Sequence, residues 1–315
     1  MTHTYNTALV SIVGAGHSGS TLLDMILGGH SSMLSLGEIT RFDEYRVAEL
    51  PCTCGHAVHS CTFWLAVMDK WEDLIMDTTV DTAMTDMRGY KMPGTANSVQ
   101  NYLSIFANLI LSTHKYPGLH RFACPELHRR RARICSLHSA IRQVSQKSLL
   151  IDSSKSVHRF RLLHSLKPNS SRAIFLTRDG RAIAASRLRK NVGTVPQITR
   201  KWWLTNQFTI IMMRTLPRSA YIHVRYEELC NEPEQTVQRI CDYIGVPYEP
   251  EMLDFRSHER HILGGNRMRM DRKNEIQEDL KWTSTLNATA LNEFERIAGR
   301  LNRKLLGKYF RASTV

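Results

Sequence analysis

ALVSIVGAGHSGSTLLDMILGG, residues Ala8 to Gly29, decides how the rest of the chain is read. Its apolar, partly β-branched run Ala8 to Val13 has the character of a buried parallel strand, and it leads straight into glycines. Beyond them, Leu22, Leu23, Ile26 and Leu27 share one helical face, and Gly28-Gly29 supplies a stop. A strand, a glycine-rich loop and a helix in that order make an anion cradle. Backbone N–H groups converge with a helix N-terminus, and the hydroxyls of Ser18, Ser20 and Thr21 add donors. Gly14, Gly16 and Gly19 satisfy G-x-G-x-x-G with Glu38 beyond them, the dinucleotide fingerprint. Gly14 to Thr21 equally fit G-x-x-x-x-G-K-[ST], except that Ser20 stands where the phosphate-binding Lys belongs. Both patterns demand a phosphate-like anion, and neither chooses the nucleotide.

Working outward, Ser148 to Ile151, Arg172 to Thr177 and Ala220 to Val224 read as further short strands. Helical patterns fall at Ser98 to His114, Arg133 to Gln146, Ser156 to Ser165, Arg181 to Lys190 and Gln197 to Leu216, then at Pro233 to Ile244 and Asn287 to Leu306. This alternation predicts an α/β fold, a P-loop-like central parallel sheet flanked by helices. No linker marks a boundary, so residues 1–315 are expected to form one domain, with Pro51 to Leu127 a mostly helical insertion after the first βα unit. A dinucleotide fold would want a second strand ending at Glu38, but HSSMLSLGEI is short and only partly apolar.

Lys+Arg 42 against Asp+Glu 29 leaves a formal net charge of +13 in 315 residues, which favours an anionic ligand. The basic residues lie in separate pieces, His128 to Arg133, Arg178 to Lys190 and Arg256 to Arg272, with no zinc-finger or RRM signature, so nucleic acid is not the expected partner. Apolar stretches such as LSIFANLILS are about half the ~20 residues a membrane span needs, and the first residues lack a basic, cleavable leader. A soluble, cytoplasmic protein without a membrane partner is the expectation. Reduced thiols then follow for most of the seven cysteines. Cys52, Cys54 and Cys61 are interleaved with His56 and His59 in CTCGHAVHSC, a composition that suits zinc, although C-x-C departs from the usual ligand spacing. Packed free thiols are expected there, with structural zinc and a local disulfide as the alternatives.

A second anion constellation follows the third predicted strand in FLTRDGRAIAASRLRK. Arg178 sits at the strand end and Ser186 two helical turns later, with Arg181 and Arg189 nearby, so the ligand should carry phosphate-like groups at two separated places.

These motifs, in this order, resemble the sulfotransferases that use 3′-phosphoadenosine 5′-phosphosulfate (PAPS). GHSGSTLLDMILGGHSSMLSLGEI is similar to their 5′-phosphosulfate loop and FLTRDGRAIAASRL to their 3′-phosphate motif. LLIDSSK, VRYEELCNEPEQTVQRICDYIGVPY and GGNRMR resemble further family segments, which together cover Leu9 to Trp282. The bacterial small-molecule enzymes are the nearest in character, and the stretch from the loop to Glu38 also resembles tyrosylprotein sulfotransferases. One departure is His17, at a place where many members have Lys or Arg.

The resemblance implies transfer of a sulfuryl group from PAPS to a hydroxyl or amine of a small-molecule acceptor in secondary metabolism. Adenosine 3′,5′-bisphosphate leaves, and no metal is required. It assigns Gly16, His17, Ser18, Gly19, Ser20 and Thr21 to the 5′-phosphosulfate, and Arg178, Ser186, Arg267 and Arg269 to the 3′-phosphate. Glu38, in a G-E-x-x-R context completed by Arg41, takes the place of the catalytic base, with binding of the acceptor or pairing to Arg41 as the alternative role. Lys155 would neutralise the sulfuryl or leaving oxygen. Relatives place acceptor specificity in the insertion, where Asp69 to Arg88 carries six carboxylates against Lys70 and Arg88, which favours a polar, cationic acceptor. Trp202 is expected to pack in the core. A non-catalytic nucleotide-binding protein on the same fold and a dinucleotide-dependent oxidoreductase are the rival readings.

Overall fold

The computed structural model describes residues 7–76, 125–257, 259–270 and 276–307. Five parallel strands, β1 (Leu9–Val13), β2 (Met33–Ser35), β3 (Leu149–Lys155), β4 (Ser171–Thr177) and β5 (Tyr221–Arg225), form one sheet in the order β2-β3-β1-β4-β5. Side chains alternate across it, as the period of two in an extended chain requires. Val10, Ile12, Ile174 and Leu176 join one apolar cluster with helix α1 (Ser20–Leu27), while Val13, Ala173 and Phe175 join another with Trp202 and Phe294. Trp202 is therefore a core residue, as expected.

The helices that follow are α2 (Phe42–Val47), α3 (Thr62–Met76), α4 (Pro125–Ser145), α5 (Val157–His164), α6 (Gly180–Leu188) and α7 (Val195–Arg214). After β5 come α8 (Tyr226–Asn231), α9 (Pro233–Ile244), α10 (Trp282–Thr285) and α11 (Ala288–Leu306). Helix α7 starts before its predicted Gln197 because Thr194 and Gln197 close a capping box around Pro196. The predicted helix at Ser98 to His114 and most of the insertion lie outside the described residues. Within reach, α3 packs on α4, where Trp71 donates to Ser136 Oγ at 2.8 Å and its ring faces Arg133.

Two strands differ from expectation. Met33–Ser35 is a strand after all; three residues suffice at an edge where only β3 must be paired and where Met33 and Ser35 are buried. Strand β3 runs four residues beyond Ile151 into DSSK. Its buried Asp152 is accommodated because Arg159 Nε donates to it at 2.7 Å and the Ser154 amide at 2.9 Å.

Several histidines are buried deeply enough that desolvation disfavours their charged form. Burial and the neighbouring Arg159 lower His138 from 6.5 to about 3, burial with Arg225 and Arg239 lowers His223 to about 3, and burial with Arg161 lowers His158 to about 4. The unfolded chain binds protons at these residues below pH 6.5 while the folded one does not, so each costs stability as pH falls from 6.5 toward its folded value. Asp24 acts oppositely, because burial pushes its carboxyl up to about 7, but one carboxyl does not offset three imidazoles. The unfolding free energy from urea titrations should therefore drop between pH 6.5 and 4.5, with up to about 1.4 kcal/mol per pH unit from each histidine. A flat profile over that range would contradict the assignment.

Candidate active site

In a parallel sheet every strand ends at the same edge, and ligands bind at that edge where the connections diverge. Here the divergence is at β1, flanked by β3 and β4. The Gly14–Gly19 loop leaves β1, Glu38 follows β2, Lys155 ends β3, Arg178 follows β4 and Tyr226 follows β5. The sheet alone thus gathers residues that are scattered through the sequence.

The loop is set by close packing. Gly14 has φ 145° and a Cβ there would strike the Leu176 carbonyl oxygen, so the loop can leave the sheet here only with glycine. Gly19, at φ 89°, caps α1 and lies against the Tyr226 ring. Ser18 Oγ is buried and has no hydrogen-bond partner among the described residues. A buried hydroxyl at the start of a helix with nothing to bond is what an anion-binding loop leaves for its ligand.

His17, in the left-handed region at φ 69°, joins the two sequence constellations. Its carbonyl accepts from Arg178 Nη1 at 3.2 Å and its Nδ1 lies 3.1 Å from Ser186 Oγ. The glycine loop and the Arg178–Ser186 segment therefore meet at His17. Burial, aided by Lys190, Arg187, Lys155 and Arg178, lowers His17 from 6.5 to about 4. His17 is thus neutral near pH 7, and positive charge at the loop comes from the four cations around it.

Arg178 is buried, its guanidinium 4.3 Å from the centre of the Tyr226 ring and 3.4 Å from Asp279 Oδ2. It alone of the T-R-D-G turn faces the site, because Asp179 turns inward to cap α6 and to accept from Asn302 Nδ2 at 3.0 Å. Arg181 is taken by Asp179 and by the Trp282 ring, and Arg189 pairs with Asp279 at 3.2 Å. Although burial would raise the Asp279 carboxyl, the Lys281 amide, Arg178 and Arg189 hold it below the usual range.

On the other side of the loop, Lys155 Nζ donates to Glu38 Oε1 at 2.5 Å. Lys155 also has positive φ, 63°, a conformation costly for a side chain of its kind and concentrated at functional sites. Arg41, the alternative partner for Glu38, holds Glu44 closely and reaches Glu38 Oε2 only as a long ion pair at 3.9 Å. A segment from far along the chain closes the site. The Glu38 amide donates to the Leu263 carbonyl at 2.6 Å, Gly264 lies against the Glu38 side chain, and Thr21 Oγ1 accepts from the Asn266 amide at 3.0 Å.

Arg267 in this segment is exposed, while Arg269 donates to Tyr45 Oη at 3.0 Å and to the Gly265 carbonyl. No hydrogen bond among the described residues joins either to Arg178 or Ser186. Of the acidic stretch, Asp73 is exposed and paired with Lys70 at 3.3 Å, and Asp77, Asp81 and Asp86 lie outside the described residues. Tyr226 and Asp279 escaped sequence reading. Tyr226 had the signal of following a strand within VRYEEL; Asp279 had none.

A parallel α/β sheet whose central strand feeds this loop defines a P-loop-like protein. The chain belongs to the sulfotransferase family, whose model matches residues 10–250. The fold is likewise that of the sulfotransferase domain from the curacin biosynthetic pathway, 19% identical, with a TM-score of 0.55 and 94% of this chain and 97% of that one covered. The sulfotransferase domain from the Synechococcus PCC 7002 olefin synthase is similar to the same degree, at 19% identity and TM-score 0.55, covering 95% and 96% of the two chains. Among curated proteins, none matches the chain's sequence. No helix among the described residues is long and apolar enough to cross a membrane.

Gly19 and Gly16 separate conformational need from space. Gly19→Ala forces a side chain into the left-handed region and into the Tyr226 ring, and should destabilise folding by roughly 1–3 kcal/mol. Gly16→Ala meets nothing within 4 Å and should stay within about 0.5 kcal/mol of wild type in the same denaturant titrations.

Proposed function

We propose that the chain transfers a sulfuryl group from PAPS to a hydroxyl or amine of a small polar acceptor. The observation that carries this reading is the loop with its unpartnered Ser18 hydroxyl, with the Lys155–Glu38 pair on one side and Arg178 and Ser186, both bonded to His17, on the other. The amides of Gly16 to Thr21 and the hydroxyls of Ser18, Ser20 and Thr21 would hold the 5′-phosphosulfate. Arg178 and Ser186 would hold the 3′-phosphate, which competes with Asp279 for the guanidinium. Arg267 is the late-loop cation for the same group, while Arg269 serves Tyr45 and the loop itself.

PAPS supplies the activated sulfuryl group. Glu38 takes the acceptor proton as the acceptor oxygen or nitrogen bonds to sulfur, and the bond from sulfur to the bridging oxygen breaks with its electron pair staying on the phosphate. Lys155, drawn from Glu38 by the anion, steadies the charge on that leaving oxygen, and the same move leaves the Glu38 carboxylate able to accept a proton. Neutral His17 contributes its carbonyl and ring to positioning. A cationic acceptor fits the carboxylates of Asp69 and Glu72 at the start of the acidic stretch.

Calorimetry separates this function from its rivals. Adenosine 3′,5′-bisphosphate should bind, and Arg178→Ala should weaken it by roughly 1.5–3 kcal/mol while hardly changing adenosine 5′-monophosphate. Stabilisation by NADPH in place of the bisphosphate would overturn the donor assignment. With radiolabelled PAPS and an acceptor found by library screening, Glu38→Gln should lower kcat by about 10²–10⁴-fold and leave bisphosphate affinity intact. Retained kcat with chemistry rate-limiting would return Glu38 to a structural pairing with Lys155.

A further inference from the structure

Four sulfur- and nitrogen-bearing side chains meet outside the donor site, where the start of the insertion touches the late segment. Cys52, Cys54 and Cys61 come from one turn of chain, and His261 arrives from 200 residues beyond Cys61. Their Sγ and Nδ1 atoms all lie within 4.8 Å of one another. Cys61 Sγ is 3.7 Å from Cys52 Sγ and 3.6 Å from Cys54 Sγ, and His261 Nδ1 is 3.2 Å from Cys61 Sγ and 3.9 Å from Cys52 Sγ. A tetrahedral zinc with thiolates at about 2.3 Å has sulfur–sulfur edges of roughly 3.8 Å, close to these spacings.

We propose that Cys52, Cys54, Cys61 and His261 Nδ1 bind a structural zinc ion. The surroundings are arranged as such a site needs. The turn is closed by hydrogen bonds from the Cys52 amide to the His56 carbonyl at 2.9 Å and from the Gly55 amide to the Cys52 carbonyl at 3.0 Å. The Cys54 amide points at Cys52 Sγ, 3.4 Å away, a dipole that favours thiolate over thiol. Nε2 of His261, the nitrogen not facing the sulfurs, lies 3.5 Å from a Glu259 carboxylate oxygen. From there the exposed Glu259 carboxylate is close enough to favour positive charge on the ring edge, while the ring's orientation is set by its packing on Phe63. The Phe63 ring stacks on the imidazole at 4.8 Å and 10°, and Trp64 Nε1 donates to the His261 carbonyl at 3.0 Å.

Four protein ligands leave no position for substrate, so the ion is structural; three thiolates with one imidazole select zinc over the hard cations. Binding displaces three thiol protons to solvent, and the site carries one net negative charge. Cys52 Sγ and Cys54 Sγ lie 2.7 Å apart, shorter than a tetrahedral edge, so binding would require Cys54, the least buried of the three thiols, to rotate outward. His56 and His59, the histidines nearest in sequence, are not members; His59 Nε2 is 2.6 Å from the Arg46 carbonyl. The ion would pin the segment that orients Glu38, because Thr53 Oγ1 donates to the Arg260 carbonyl and accepts from the Ile262 amide, and Leu263 then receives the Glu38 amide.

The full chain, expressed with zinc and purified without chelators, should contain about one zinc per chain by plasma mass spectrometry. X-ray absorption should show three sulfurs at about 2.3 Å and one nitrogen at about 2.0–2.1 Å. Cobalt exchange should give the thiolate charge-transfer and strong visible bands of a tetrahedral site, and His261→Gln should lose the nitrogen shell and at least tenfold in zinc affinity. Should the variants not fold, the wild-type metal content and absorption spectrum decide the matter. Metal-free protein with three titratable thiols, or an intact mass showing a Cys52–Cys54 disulfide, would overturn the proposal; a shell of sulfur without nitrogen would remove His261.

Discussion

The Arg178 guanidinium is the joint on which the ligand-binding edge depends. A buried cation destabilises the fold unless it finds partners, and Arg178 finds them in three other parts of the chain. It leaves the end of β4, lies on the Tyr226 ring at the end of β5, donates to the His17 carbonyl in the glycine loop and meets Asp279 before α10. Tyr226 in turn is the surface against which Gly19 rests, and its hydroxyl donates to the Gln277 carbonyl at 3.1 Å. The glycine loop, the end of β5 and the later segment thus all meet at one side chain.

A second constraint is the crowding of positive charge. Lys155, Arg178, Arg187 and Lys190 surround His17, and their combined field with burial keeps that imidazole neutral. The loop itself carries no Lys or Arg; the charge sits on neighbouring elements around an uncharged imidazole in the centre. Two carboxylates hold the field in check, Glu38 on the Lys155 side and Asp279 on the Arg178 side. The two ion pairs flank the glycine loop from opposite sides, so the field there is positive but partly compensated at each end.

Much of the sheet and the glycine loop was legible because their signals are local. ALVSIV, RAIFLT and AYIHV are short apolar runs that end in Gly, Arg or Tyr, and the structure keeps each as a strand. The apolar stripe in PEQTVQRICDYIG set Pro233–Ile244 to the residue, since Pro at the start and left-handed Gly245 at the end fix both boundaries. Met33–Ser35 was illegible for the opposite reason. Three residues carry too little pattern, and what makes them a strand is the row of β3 backbone groups waiting beside them.

The chain's own residue order therefore determined the βα frame, the anion loop and the strand-end Arg178, since each rests on neighbours in sequence and on steric rules of the backbone. Only the tertiary structure decided which carboxylate meets which cation. Glu38 makes its close contact with Lys155 and only a long one with the nearby Arg41, Arg178 meets Asp279, and the Cys52 turn meets His261, these three close contacts all spanning 100 residues or more. Those choices are made by the parallel register of the sheet, which brings distant strand ends to one edge, and by the late segment that crosses over it; neither leaves a trace in local composition.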